Sequence, residues 1–522
     1  MTCAMHKWMR GGMKHPAHLA AALVLLTMLA GGSPINPTTA SETTMTETVP
    51  AYMISQRLPG EIRQMVNAGE ITKAIEALQQ IDSTEAWPLE EAERLQWLKR
   101  DYSLSANAML RKIQADLPDV TMTDIAAWTR SREIQWLTID GVVRYFRREP
   151  ANLYRFSESA KARRDAAAKK ATSAGDPSAG ASSASPLDRH IEAVVKSPKA
   201  EGEPLLNPSR YAIRHTIRIK PGVVPKGEMI RCWMPLPREY RQQSGPQDLV
   251  TTPAVHRVSG PGAVHNTVYM QQPSAGDVST VFSAEYSYTN HAWAPRFTTA
   301  AIEAVLEKPA TDMGEFLREE PPHIVFSTQL QQLAASIVGD ERNPYRKAER
   351  IFRWMDENIR YCAEMEYATI AGISEKILQT RRGDCGVQAI LFITLCRAAG
   401  VPARWQSGWV TQPKHWNMHD WTEFYVEPAG WLPADPSIGF RKSDDPAVRE
   451  FLFGNIDAYR MIANSGICGE FDPPKKHHRS DPVDSQRGEV ETDRGNLYFD
   501  QWEYDVEILR HEEPQKAAEG KE

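Results

Sequence analysis

The chain has 522 residues, 41% of them hydrophobic and 25% charged, a globular balance with material for three or four folded units. Lys and Arg number 61 against 67 Asp and Glu, a formal charge of −6, and without a basic surplus nucleic acid is not an expected partner. Six cysteines are too few for a disulfide-built scaffold, and composition excludes whole-chain disorder, collagen-like and coiled-coil architectures.

Residues 1–40 read as a signal peptide. Lys7, Arg10 and Lys14 precede an uncharged apolar run from Ala17 to Ala30, which ends in Gly31, Gly32 and Ser33. The run is short for a membrane span, so an uncleaved N-terminal anchor is the weaker alternative, and no other stretch is apolar enough to cross a bilayer. The expected location is extracytoplasmic, either periplasmic or secreted. Cleavage leaves Cys232, Cys362, Cys385, Cys396 and Cys468, an odd set that allows up to two bridges and at least one spare thiol.

Residues 50–160 are expected to form a helical domain. Pro88 stands in the first turn of a run carrying Leu89, Ala92, Leu95 and Leu98, and Ala74, Ile75, Leu78 and Ile81 make a shorter stripe. Packing, or binding of a protein partner, is its expected role. Residues 161–204 turn rich in Ala, Ser, Gly, Pro and Lys and read as a flexible linker. Residues 205–305 alternate, with Tyr211, Ile213, His215, Ile217 and Ile219 on one face and Phe282, Ala284, Tyr286 and Tyr288 on another, which predicts a β-sandwich. Helical spacing resumes after Ser327, and Asn343 and Pro344 form an N-cap and first helical residue. The segment 320–465 reads as a catalytic core. The tail, 466–522, reads as loop ending in a strand through Trp502, Tyr504, Val506 and Ile508, which returns to the sandwich or closes the core sheet.

The chemistry concentrates between Arg382 and Phe440. Arg382-Gly383-Asp384-Cys385-Gly386 is a turn-rich pentapeptide leading into Val387–Ala399, apolar on nearly every face and ended by Gly400 and Pro402; that is a buried helix. Cys385 falls at its first turn, where free N–H groups and the helix dipole are expected to lower the thiol pKa and to stabilise an oxyanion. Downstream, His419–Glu427 has strand character, Pro428-Ala429-Gly430 is a turn, and Trp431–Pro436 returns. By alternation Asp435 shares a face with His419 but sits a residue pair or two out of register. Asp420 is the rival partner for His419, set aside because adjacent strand residues point to opposite faces.

In their order and spacing, G-D-C-G before an apolar helix, H-D-W-T-E-F-Y-V-E and G-W-L-P-A-D-P-S resemble the transglutaminase-like superfamily, papain-like in its chemistry, over roughly residues 320–440. The resemblance implies an α+β fold in which a buried helix bearing the cysteine packs on an antiparallel sheet, here preceded by the β-sandwich and the helical domain. It implies Cys385 as nucleophile, His419 as general base and Asp435 as orienting acid. An upstream aromatic residue would complete the oxyanion hole: Tyr361 is preferred over Tyr367 and Trp354. No EF-hand loop is present, so calcium is not implied. His415, four residues before His419, lacks further ligands at zinc spacing, and no CxxC or HExxH occurs; no metal or cofactor is expected. His477 and His478, beside Lys475 and Lys476, read as a solvated tract.

The expected activity is that of an exported cysteine enzyme acting on a peptide or protein amide, hydrolysing a peptide, isopeptide or related bond through a thioester. Cell-wall and extracellular substrates are both compatible with it. The alternatives are a protein-glutamine amine transferase (a cross-linker) and a non-catalytic exported binding scaffold.

Overall fold

A computed structural model describes residues 49–172, 185–197 and 204–513, apart from residues 255, 296 and 414. The signal segment 1–40 and the middle of the linker lie outside the described residues. Among the described residues no helix is long and apolar enough to cross a membrane.

Apolar residues three and four apart close the first helices onto one another. Ala74, Ile75 and Leu78 are buried on the helix Ile71–Gln79, which packs against Trp87–Asp101 through Leu95 and Leu98. Within this N-terminal region Leu58, Leu78 and Leu95 belong to the same continuous core as Ile351, Phe392 and Phe424, whereas Met109, Ile113, Trp128 and Leu153 pack into a core of their own. It also contains a hairpin, Trp136–Ile139 with Val142–Tyr145, closed by Asp140 and Gly141 at positive φ.

The linker expected over 161–204 is corrected where the structure describes it. Glu158–Thr172 and Pro186–Lys196 are helices. The second is amphipathic, with Leu187, Ile191 and Val194 buried, and Asp188 pairs with Arg441 at 2.5 Å. A short apolar stripe outweighs the surrounding composition once there is a core for it to dock on.

The sandwich is made of two antiparallel sheets. One runs Trp502–Glu512, Leu205–Ile219, Thr280–Trp293, Gln247–Thr252; the other runs Asn496–Leu497, Glu489–Glu491, Met229–Pro235, Thr267–Pro273, His256–Val258. Tyr211, Ile213 and Ile217 face Cys232, Met234 and Met270 in the shared interior. The last strand thus returns to the sandwich. Among the described residues the tail supplies three strands, and the side chain of Lys475, bonded to Glu489 at 2.9 Å and Asn496 at 2.6 Å, is buried beneath its loops. The solvated reading of this tract is also corrected: His478 bonds Glu93 of the N-terminal helices and lies 3.2 Å from the Tyr498 hydroxyl.

The core sheet orders Gly430–Ala434, His415–Val426, Ala403–Gln412, Arg460–Asn464, all antiparallel. Against it packs the helix Cys385–Ala398, which is buried along nearly its whole length. Its other sides meet the helices Thr328–Val338, Pro344–Asn358 and Ile373–Thr380, so an all-round apolar sequence is what the position requires. Asn343 caps its helix through bonds from the Tyr345 and Arg346 amides at 2.9 and 3.3 Å. Gly400, at φ +80°, turns the chain out of the cysteine helix.

Candidate active site

Cys385 is the first residue of its helix. Asp384 precedes it as N-cap, its Oδ1 accepting from the Val387 amide at 3.2 Å. The short parallel pairing of Arg360–Tyr361 with Arg382–Gly383 fixes the entry. At Gly386 a β-carbon would lie 2.1 Å from the Tyr367 hydroxyl and 2.7 Å from Asp420 Oδ2, so glycine is what lets both side chains close over the first turn.

The thiol hydrogen bond goes to Asp420: Sγ donates to Oδ2 at 3.2 Å. His419 Nε2 instead lies 2.7 Å from Asp435 Oδ2. Alternation sends these neighbouring side chains to opposite faces, and it is Asp420 that meets the sulfur. Ala434 pairs with Thr422, so Asp435 falls one step beyond, and the diagonal reach available to paired strands closes the remaining gap to His419. The structure therefore joins His419 with Asp435, neither of which lines the cleft that Cys385 opens to, and it joins Cys385 with Asp420, the rival orienter set aside for His419.

The expected lowering of the thiol pKa is corrected. Burial pushes the Cys385 thiol well above its ordinary value, and the carboxylates of Asp420 and Asp384 push it further. Burial also raises the acids around it. Asp420 is held well above the usual carboxylate range, with Asp484 and Asp384 adding to burial. Asp384 is raised to about 7 by burial and Glu364, although the Tyr367 hydroxyl donates to it at 2.8 Å. Asp481 is raised to about 8 by burial and Asp484. At neutral pH the resting thiol keeps its proton. The helix N-terminus is real, but desolvation and two facing carboxylates outweigh its partial charge.

Asp435 is the opposite case. Burial alone would raise it, but the charges of His419 and Arg460 hold it well below the usual carboxylate range. Arg460 Nη1 donates to Oδ2 at 2.6 Å, while Ser437 Oγ and the Ile438 amide donate to Oδ1 at 2.9 and 3.1 Å. Asp435 occupies Nε2, which leaves Nδ1 as the imidazole nitrogen open to act as a base.

Cys385 lines a cleft of about 300 Å³. Tyr361 and Tyr367 line it too, whereas Trp354 stacks under Arg381 at 4.8 Å elsewhere. His415 is exposed at the start of its strand and is not among the cleft residues. One wall was unforeseen: Arg148, Ala151, Asn152 and Arg155, around the helix Glu149–Phe156, come from the N-terminal region. Asn152 grips the backbone of Ala363 in both directions, donating at 2.9 Å and accepting at 2.8 Å. The tail adds Gln486, whose Nε2 donates to Asp420 Oδ1 and, at 3.0 Å, to the His419 carbonyl. The five described cysteines are all free thiols. No group of three or more His, Cys, Asp or Glu suited to a metal occurs among the described residues.

The family described as the transglutaminase-like superfamily matches residues 331–436. An uncharacterised protein of Haemophilus influenzae is 29% identical over 186 residues, 28% of this chain and 49% of that one. A peptide-N(4)-(N-acetyl-beta-glucosaminyl)asparagine amidase of Gallus gallus is 34% identical over 113 residues, 20% of this chain and 16% of that one. The chain thus spans about half the length of the first relative and under a fifth of the second. A candidate cysteine protease structure from Cytophaga hutchinsonii aligns with TM-score 0.39 at 17% identity, over 59% of this chain and 92% of that one. The periplasmic domain of TgpA from Pseudomonas aeruginosa aligns with TM-score 0.23 at 15% identity, over 45% and 88%. Over residues 331–436 the chain carries a domain of the transglutaminase-like superfamily.

Proposed function

We propose that the protein is an exported cysteine-dependent acyl-transfer enzyme that hydrolyses a peptide, isopeptide or related amide. The observation that carries this reading is a cysteine on the first turn of a buried helix, open to a polar cleft, with the His419–Asp435–Arg460 cluster on the adjoining strands. Cys385 attacks the carbonyl carbon, a C–S bond forms, and charge collects on oxygen near the free N–H groups of the helix start, with Tyr361 at the cleft wall as a further donor. Neither His419 nor Asp435 is among the residues lining the cleft, and the side chain that meets the sulfur is Asp420; the step therefore needs the thiol–Asp420 bond to open and the sulfur to turn to His419 Nδ1, which takes the thiol proton and delivers it to the nitrogen as the C–N bond breaks. Asp435 aims the ring and stabilises its cation. Water then cleaves the thioester, releasing the acid and restoring the thiol. The pattern of residues 1–40 supports action outside the cytoplasm.

The test is turnover of a peptide-amide library by the full chain and by Cys385→Ser, His419→Asn and Asp435→Asn. Loss of product in Cys385→Ser, with a covalent thioester trapped in the parent, is the expected result. Full activity in Cys385→Ser would overturn the reading, and full activity in His419→Asn would remove His419 as base. A primary amine added to the assay separates hydrolysis from transfer, since only a transferase incorporates it.

A further inference from the structure

Three arginines stand around the Cys385 cleft, and their charges are not fully matched. Arg487 bonds Glu366 Oε2 at 3.1 Å, and Arg148 reaches Glu366 Oε1 only at 4.0 Å. The same carboxylate also holds Arg147 at 2.9 Å, so it is shared three ways. Glu364, the other glutamate of the lining, is taken by buried Lys376. Arg155 is exposed at the cleft wall with its guanidinium 5.2 Å from the centre of the Tyr361 ring, and it makes no ion pair or hydrogen bond among the described residues. Asn152 clamps its helix to the backbone at Ala363, so this cation is mounted on a fixed element beside the nucleophile. The remaining lining acids, Asp384, Asp420 and Asp481, are all raised by burial and so offer an incoming anion little opposition on the acid side of neutrality.

Resting on the reading of Cys385 as the nucleophile of an amide-cleaving site, we propose that the cleft selects peptide substrates carrying a free carboxylate beside the scissile amide, and that Arg155 is the residue that binds it. An exposed guanidinium with no acid partner presents its fork to a carboxylate, and a narrow cleft concentrates its field. The N-terminal helical region is therefore a substrate-reading wall of the site.

Two measurements test this, and neither requires turnover. The first compares alkylation of Cys385 by iodoacetate, an anion, with alkylation by neutral iodoacetamide at about pH 6 and low salt, where the raised lining acids keep their protons, read by mass spectrometry of the Cys385 peptide. The rate ratio should exceed that of N-acetylcysteine by about fivefold, the size expected of one unmatched charge in the same partly screened cleft. It should survive Arg155→Lys, fall toward the free-thiol value in Arg155→Ala, and fall below it in Arg155→Glu. The second measures, by calorimetry on Cys385→Ser, binding of a short acidic peptide and of the same peptide with its carboxylates amidated. The acidic form should bind about fivefold tighter, and Arg155→Ala should erase the difference. A ratio equal to that of the free thiol, or one unmoved by Arg155→Ala, overturns the proposal, as does equal or absent binding of the two peptides. If charge selectivity holds while the parent cleaves no amide, the anion site stands and the catalytic reading falls.

Discussion

Asp420 Oδ2 lies 3.2 Å from the Cys385 sulfur, and with Asp384 it keeps the thiol protonated. Replacing Asp420 by Asn keeps the shape and removes the carboxyl that would stand ionised against the thiolate at the alkaline pH where the thiol gives up its proton. The pH midpoint for iodoacetamide labelling of Cys385 should then move down by about one to three pH units, the usual effect of a like charge in contact; an unmoved midpoint would mean that desolvation alone sets it. Asp435 works in the other direction. Its carboxylate is held ionised by His419 and Arg460, and Asp435→Asn should lower kcat of the proposed hydrolysis by about 10²–10⁴-fold, as expected when an imidazole loses the group that fixes its tautomer. Under the proposed function, steady-state kinetics on the two variants separates a residue that restrains the Cys385 thiol from one that acts through His419. The site was partly legible at this scale. Cys385, His419 and Asp435 stood out because a cysteine, a histidine and an aspartate follow one another in a recognisable order and spacing. Asp420 was set aside for facing away from His419, and that same direction brings it to the sulfur.

The cysteine helix, Cys385–Ala398, shows what element-level reading captures. Its boundaries follow from a cap, an apolar run and a glycine, all local signals. Phe392, fully buried and edge-on to Phe352 and Phe424 at 6.3 Å, should cost about 3–5 kcal/mol when replaced by Ala, measured by urea unfolding. Gly386→Ala sets a methyl against the Tyr367 hydroxyl and Asp420. It should destabilise by about 1–3 kcal/mol through overpacking and disturb thiol labelling, whereas Gly400 lies far from that contact. The helix Pro186–Lys196 shows the limit. Its composition is that of a linker, yet Leu187, Ile191 and Val194 find a core that no local window contains.

At the scale of the whole molecule, buried acids set the pH dependence. Glu149 is raised to about 7 by burial despite Arg382, and Asp384 and Asp481 to about 7 and 8. A carboxyl whose pKa is higher folded than unfolded contributes stability that is complete below about pH 4 and is lost as pH climbs through its folded value. Asp435 has the reverse sign: its contribution is present above about pH 4 and lost on acidification. Melting temperature should therefore fall between pH 5 and 8, and Asp481→Asn should flatten that slope; a Tm that rises across the window would contradict the burial of these groups in protonated form. The final strand, Trp502–Glu512, pairs with Leu205–Ile219, tying the end of the chain to the start of the sandwich. The sequence by itself determined the sandwich strands, the cysteine helix with Cys385 on its first turn and the face shared by His419 and Asp435, because caps, periodicity and strand alternation act over a few residues. Only the tertiary structure decided that an N-terminal helix and the tail would wall the cleft, that Asp420 would hold the sulfur and that burial would outweigh the helix dipole. Those outcomes depend on which distant groups share one desolvated space, and spacing along a chain does not encode that directly.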